Sequence, residues 1–182
     1  MILIGITGTL GAGKGTIVEC LKERGFVHYS VRDFLVKEIE KRGLEVNRDS
    51  MTAVANSLRK EHGADYIVRC IEKEALSKGA NCVIESIRNP KEVELLRKNG
   101  NFYLFSVDAD LKKRYERIRL RKSSTDNVDF DTFVANEQRE MSSSGENEQN
   151  IGSCMKMADY AFLNNSDVEA LKRLVDEVLH EI

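Results

Sequence analysis

The chain has 182 residues, 41% of them hydrophobic and 32% charged, with a formal net charge of −2. That length suits one domain with a sizeable core, and the near-neutral balance excludes a broad basic field that would recruit nucleic acid. The four cysteines (Cys20, Cys70, Cys82, Cys154) form no CxxC pair, and the three histidines do not complete a zinc-ligand set, so the thiols read as buried or idle in a reducing compartment.

The opening "MILIGI" lacks the basic flank and long apolar run of a signal peptide, and no segment is apolar enough to span a membrane; the expectation is a cytoplasmic protein. "ILIGIT" (2–7) is a continuous apolar run, as expected of a strand covered on both faces. A helix from about Lys14 to Arg24 follows, closed by Gly25, and "FVHYS" is a short second strand. Ser30 caps the helix that runs through "VRDFLVKEIEKRG" to Gly43. Asp49 or Ser50 opens "MTAVANSLRKEHG", and the amphipathic "ADYIVRCIEKEALSKG" comes next. "NCVIES" (81–86) is the third strand, Pro90 starts the helix "KEVELLRKNG", and "FYLFSVD" (102–108) is the fourth strand. "ADLKKRYERIRLRK" is a strongly basic helix, and "VDFDTFVANEQREM" is another behind a polar joint. The polar loop "SSSGENEQN" (142–150) precedes "ADYAFLN" (158–164), the fifth strand, and the closing helix "DVEALKRLVDEVLHEI"; residues 151–157 receive no element. The alternation implies an α/β fold, a five-stranded parallel sheet with helices on both faces.

The stretch "GITGTLGAGKGT" supplies the first chemistry. Gly8, Gly11 and Gly13 let backbone amides approach an anion closely, and the following helix presents its positive end. Lys14 adds a point charge, and Thr16 a hydroxyl one place later than the usual phosphate-loop spacing, because Gly15 intervenes. A plain glycine-rich turn is the bland alternative. The third strand ends at Glu85, where a carboxylate can hold Mg²⁺ through water, with Arg88 just beyond; an exposed strand-end acid is the alternative for Glu85. Arg114, Arg117 and Arg121 share one side of the basic helix and Arg119 another, which serves either phosphate contact or a solvated face.

"GxGKGT" resembles the loop of adenylate kinase and other nucleoside monophosphate kinases, and the chain has no NKxD segment of a switch GTPase. "HYSVRDFLVKE" is similar to the family's acceptor stretch, matching at Ser30, Asp33 and Leu35, with Val36 where an arginine is usual and Arg32 where a glycine is. "DADLKKRYERIRLRK" resembles the helix leading into the adenylate-kinase lid, and "ADYAFLNNSDVEAL" the final strand and loop of dephospho-CoA kinase.

The resemblance implies one P-loop kinase domain over 1–182, with an acceptor-binding helical insert at about 30–79 and a short lid at about 119–141. It implies that Gly8, Thr9, Leu10, Gly11, Ala12, Gly13, Lys14, Gly15 and Thr16, with Arg117 against the base and Asn164 near it, hold ATP. Ser30, Asp33 and Arg88 would hold the acceptor, Thr16 and Glu85 the Mg²⁺, and Lys14, Arg88, Arg121 and Arg139 would neutralise the transferring phosphoryl. For Asn164 and Asn165 a plain αL turn is the alternative. The implied reaction moves the γ-phosphoryl of Mg·ATP to a (deoxy)nucleoside monophosphate. Its rivals are transfer to a hydroxyl with Asp33 as base, and a nucleotide-binding regulator with weak ATPase activity. The partners expected are small-molecule nucleotides, with no nucleic acid and no membrane; oligomeric state is left open.

Overall fold

The computed structural model describes residues 1–121, 128–142, 145 and 147–182. The strands are β1 (Leu3–Gly8), β2 (Val27–Ser30), β3 (Cys82–Glu85), β4 (Phe102–Asp108) and β5 (Tyr160–Leu163). All pair in parallel in the order β2-β3-β1-β4-β5, as the strand–helix alternation required. Helix α1 (Lys14–Glu23) follows β1. Between β2 and β3 lie α2 (Val31–Lys41), α3 (Arg48–His62) and α4 (Tyr66–Lys78), then α5 (Pro90–Leu96) precedes β4. The chain closes with α6 (Leu111–Arg121), α7 (Phe130–Met141), α8 (Ile151–Lys156) and α9 (Val168–Glu181).

Alternation along the strands feeds two cores. Leu3, Ile84 and Leu104 face the layer that includes Leu35, Leu58, Ile67 and Cys154, from α2, α3, α4 and α8. Ile4, Ile6, Val83 and Phe105 face Ile17, Leu21, Leu171 and Val175, from α1 and α9. Strands buried on both faces are what their unbroken apolar runs encode. Register then sets the heights: Ile6, Glu85 and Ser30 stand level at the carboxyl end of the sheet, where ligands of open α/β sheets collect.

Two boundaries differ from the sequence reading. Helix α3 starts at Arg48, because Asn47 accepts from Ser50 N and Ser50 Oγ accepts from Asn47 N, a reciprocal cap that outcompetes Asp49 and Ser50 as starting points. Helix α8 received no element; Asn150 caps it and Cys154 anchors it in the core. The cysteines behave as expected of idle thiols: all four are free, and burial pushes Cys82 up to about 11 and Cys154 up to about 12. Among the described residues no helix is long and apolar enough to cross a membrane.

Candidate functional site

The phosphate loop owes its shape to glycines that no other residue could replace. At Gly8 φ is +137°, and a Cβ would stand 2.1 Å from the Val107 carbonyl oxygen of the neighbouring strand. Gly13, with φ +116°, caps α1 without any side-chain bond, and a Cβ there would meet Asn164 Nδ2 at 2.4 Å. No acid occupies the first turn of α1. The positive end of α1 therefore has no acidic side chain of its own beside it. Lys14 Nζ donates to the carbonyls of Gly8 (2.9 Å) and Thr9 (2.8 Å), which hold the ammonium inside the loop. Burial, and next the Arg88 guanidinium, pull its pKa down from 10.5 to about 8.

The loop is braced from behind. Thr9 Oγ1 donates to Asp108 Oδ1 (2.6 Å), and Asn164 Nδ2 donates to the Ala12 carbonyl (2.8 Å). Arg114, almost fully enclosed, donates to Leu10 O and Ala109 O and makes a two-pronged pair with Glu137 of α7. It joins the loop, α6 and α7 as a structural member.

In front of the loop lies a cavity of about 610 Å³. Leu10, Gly11, Gly13, Lys14, Gly15 and Thr16 form its floor; Arg117, Ile118 and Arg121 come from α6, and Glu85, Ser86 and Arg88 from the turn after β3. The wall opposite is α2 and α3, through Val31, Arg32, Leu35, Arg48, Met51, Thr52, Ala55 and Arg59. Glu140 and Gln149 complete it.

Charge is arranged in pairs. Arg88 Nη1 donates to Glu140 Oε2 (2.9 Å) and Gln149 Oε1 (2.8 Å), and Arg48 donates to the other oxygen of Glu140. Burial alone would raise Glu140; the Arg88 and Arg48 charges outweigh it and hold the carboxyl below its ordinary value. Glu85 follows the same balance. Burial raises it, while the His28 hydrogen bond (3.2 Å) and then Lys14 lower it further, so it stays ionised. Thr16 and Glu85 thus offer a hydroxyl and a carboxylate to one cavity, a donor pair that suits a hard divalent cation completed by water and phosphate oxygens. Ser86, between Glu85 and Arg88, has φ +73°, the one positive φ outside glycine among the described residues.

Several sequence expectations change here. Ser30 spends its oxygen as the cap of α2, accepting from Asp33 N (3.1 Å), and Asp33 is exposed; neither lines the cavity. The inward positions of that helix are Val31, Arg32 and Leu35 instead. Arg139 is exposed, bonds Asn136 (3.2 Å) and lies off the cavity, because the inward face of α7 carries Phe133 and, seven residues on, Glu140. Gly8, Thr9, Ala12 and Asn164 stand behind the lining rather than in it. Asn164 and Asn165 are not in an αL turn: neither has a positive φ, and each bonds backbone, at Ala12 O and Asp110 N respectively. Arg117 donates to Asn164 O (3.0 Å) from the cavity rim. The part of the expected lid at 122–127 lies outside the described residues.

The acceptor insert expected at about 30–79 takes in α3, but none of the lining residues of α3, nor Glu140 or Gln149, was named from sequence. The stripe Arg48, Thr52, Ala55, Arg59 repeats at helical spacing and was legible as a face, though nothing in it said which way the face turns.

An AAA domain profile matches residues 4–149. The UPF0200 protein of Methanococcus vannielii is 33% identical, covering 100% of this chain and 97% of its own. That of Methanothermobacter thermautotrophicus is 32% identical, covering 100% of this chain and 91% of its own. Among solved structures, TT1252 from Thermus thermophilus superposes with a TM-score of 0.66 at 21% identity, covering 100% of this chain and 97% of its own. The shikimate kinase from Bacteroides thetaiotaomicron superposes at 0.60 and 16% identity, each chain 98% covered. At these identities the structures establish the fold, that of the P-loop kinases.

Proposed function

The chain belongs to the AAA domain family and, at full length, to the UPF0200 proteins, and on that footing we propose that it transfers the γ-phosphoryl of Mg·ATP to the phosphate of a nucleoside monophosphate. The observation that carries this reading is the convergence of Lys14, Arg88 and Arg121 on one cavity floored by the phosphate loop. Phosphoryl transfer asks for positioned positive charge and little covalent chemistry. Lys14 and the first amides of α1 hold the donor phosphates, and Arg117 stands where the donor base would lie. Arg88 faces the acceptor, and Arg121 closes the space from α6. Thr16 and Glu85 would hold Mg²⁺, which supplies charge neutralisation between phosphate groups. The unit takes up 1–182, with about 30–79, which holds α2–α4, as the acceptor insert and about 119–141 as the lid.

A second reading, transfer to a hydroxyl, is favoured by the two ionised carboxylates in the cavity, Glu85 and Glu140. A hydroxyl profits from a carboxylate within reach, whereas a phosphate does not need one. Asp33, the base that the sequence offers for this reading, is exposed and off the cavity lining.

The test is ADP release from Mg·ATP against ribo- and deoxyribonucleoside monophosphates, dephospho-CoA and shikimate, with Lys14→Ala as control. One mononucleotide is expected to raise release at least roughly tenfold, and the variant to abolish the rise. Stimulation by a hydroxyl acceptor alone would establish the second reading. Slow hydrolysis indifferent to every acceptor would sink both and leave a nucleotide-binding regulator.

A further inference from the structure

His28 does not line the cavity, yet it bears on it through a residue that does, Glu85. In the register of β2 and β3, His28 stands level with Val83 and Ser30 with Glu85. Alternate side chains of a strand share a face. His28 and Glu85 therefore lie on the same side of the sheet, the side on which Val83 joins the core of α1 and α9. From there His28 Nε2 reaches Glu85 Oε2 at 3.2 Å. Ser30, the neighbour level with Glu85, is committed to the cap of α2. The imidazole thus supplies the hydrogen bond that the nearer hydroxyl does not.

The cations of the cavity do not take this part. Lys14 Nζ is bonded to the carbonyls of Gly8 and Thr9, and Arg88 Nη1 to Glu140 and Gln149. Among the described residues His28 is the one hydrogen-bond donor to Glu85, and it takes one oxygen only. Glu85 is ionised, so the ring nitrogen is the partner that carries the proton. A contact between side chains 25% and 23% exposed adds little to stability. Its larger effect is on orientation. A glutamate at a strand end turns about several side-chain bonds, and a donor fixed on one oxygen stops that turning. Carboxylates that hold metals are generally steadied by such outer hydrogen bonds.

We propose that His28 is a positioning residue for the divalent-cation site: its Nε2–H holds Oε2 of Glu85 and leaves Oε1 to the water shell of the Mg²⁺ that Thr16 shares. His28 touches neither nucleotide nor metal and acts only through Glu85. This inference rests on the reading of Thr16 and Glu85 as the pair that holds Mg²⁺.

The experiment measures Mn²⁺, in place of Mg²⁺, bound by the full chain saturated with ADP, from the loss of the free Mn²⁺ paramagnetic resonance signal. Wild type is compared with Glu85→Gln, with His28→Leu, which removes the donor, and with His28→Gln, whose amide nitrogen stands in for Nε2. Glu85→Gln and His28→Leu are each expected to weaken Mn²⁺ roughly tenfold or more, and His28→Gln to stay within about threefold of wild type. Calorimetry of ADP in EDTA should give wild-type affinity for both His28 variants, which also shows that they fold. In nitrogen-15 spectra of the wild type at pH 8, His28 should carry its proton on Nε2, and that signal should move when Mg²⁺ joins the ADP complex. Loss of Mn²⁺ in Glu85→Gln but not in His28→Leu overturns the proposal. So does an equal loss in His28→Leu and His28→Gln, or a metal-free ADP affinity that falls as far as that for Mn²⁺. A proton on Nδ1, or an Nε2 signal that Mg²⁺ leaves unmoved, overturns it in the wild type alone, even where a variant folds poorly. Failure of the metal reading looks different: Glu85→Gln itself keeps its Mn²⁺, and the proposal falls with that reading.

Discussion

Binding of Mg·ADP is expected to draw a proton onto Lys14 at alkaline pH. In the free protein burial and the Arg88 charge set its pKa at about 8, against 10.5 for an unperturbed lysine. At pH 8 about half of the molecules therefore carry a neutral Lys14, and at pH 9 about nine-tenths do. Phosphate oxygens beside the amine favour its charged form and return the pKa towards or beyond the ordinary value. The uptake on binding is then about 0.5 proton at pH 8, about 0.9 at pH 9 and close to none at pH 6.5. The same linkage weakens affinity about tenfold between pH 7 and pH 9, or about 1.4 kcal/mol. Calorimetry in two buffers of different ionisation enthalpy reads the uptake directly, and Lys14→Met should abolish it. Uptake that does not grow between pH 6.5 and 9, or that survives in Lys14→Met, would refute the reasoning. The effect on folding has its own sign. The unfolded chain keeps a lysine near 10.5, so it binds the extra proton between about pH 8 and 10.5, and stability rises with pH across that window. What is relieved there is the penalty for holding Lys14 charged in the fold, about 3 kcal/mol and fully present below pH 8.

The glycines of the loop should separate cleanly under substitution. Gly13→Ala puts a Cβ 2.4 Å from Asn164 Nδ2 at φ +116° and is expected to cost at least about 2 kcal/mol, whereas Gly15→Ala meets nothing within 4 Å and should be neutral or gain up to about 1 kcal/mol. Urea midpoints compare them, and equal losses would contradict the geometry. Ser86→Gly should raise the melting temperature by relieving about 1 kcal/mol of left-handed backbone strain at φ +73°; a fall would mean that the Ser86 side chain holds the turn.

The donor half of the site was readable because its chemistry is contiguous. Glycines that need positive φ, a lysine and a hydroxyl stand within nine residues, Gly8 to Thr16, and the strand before and helix after them announce themselves by pattern. Arg117 and Arg121 were readable for a similar reason, since their spacing of four puts them on one face of α6. Where the site departs from the expectation, local geometry is the cause. Ser30 caps α2, as its place before the helix implied, and in that position it lies off the cavity lining. Arg139 was named on α7 for its charge, whereas Glu140, one residue or about 100° further round the helix, is the one that lines the cavity. Helix α8, six residues long, is too short for a period to register, and its identity rests on the Asn150 cap and on Cys154 reaching the core.

The acceptor half has no such local signature, and its making explains why. Arg59 meets Glu92 across 33 residues, Arg88 meets Glu140 across 52, and Gln149 joins from 61 residues beyond Arg88. Each contact exists only once α3, the turn after β3 and α7 have been brought together by packing. Helix α3 packs on α2 and α4, while the phosphate loop is braced by Asp108, Arg114 and Asn164 from the other side of the sheet. The two halves thus rest on different packing and meet at α7, whose Glu137 pairs with Arg114 behind the loop and whose Glu140 pairs with Arg48 and Arg88. Changes at Met51, Thr52, Ala55 or Arg59 can re-shape what the cavity accepts and leave the machinery that holds the donor in place.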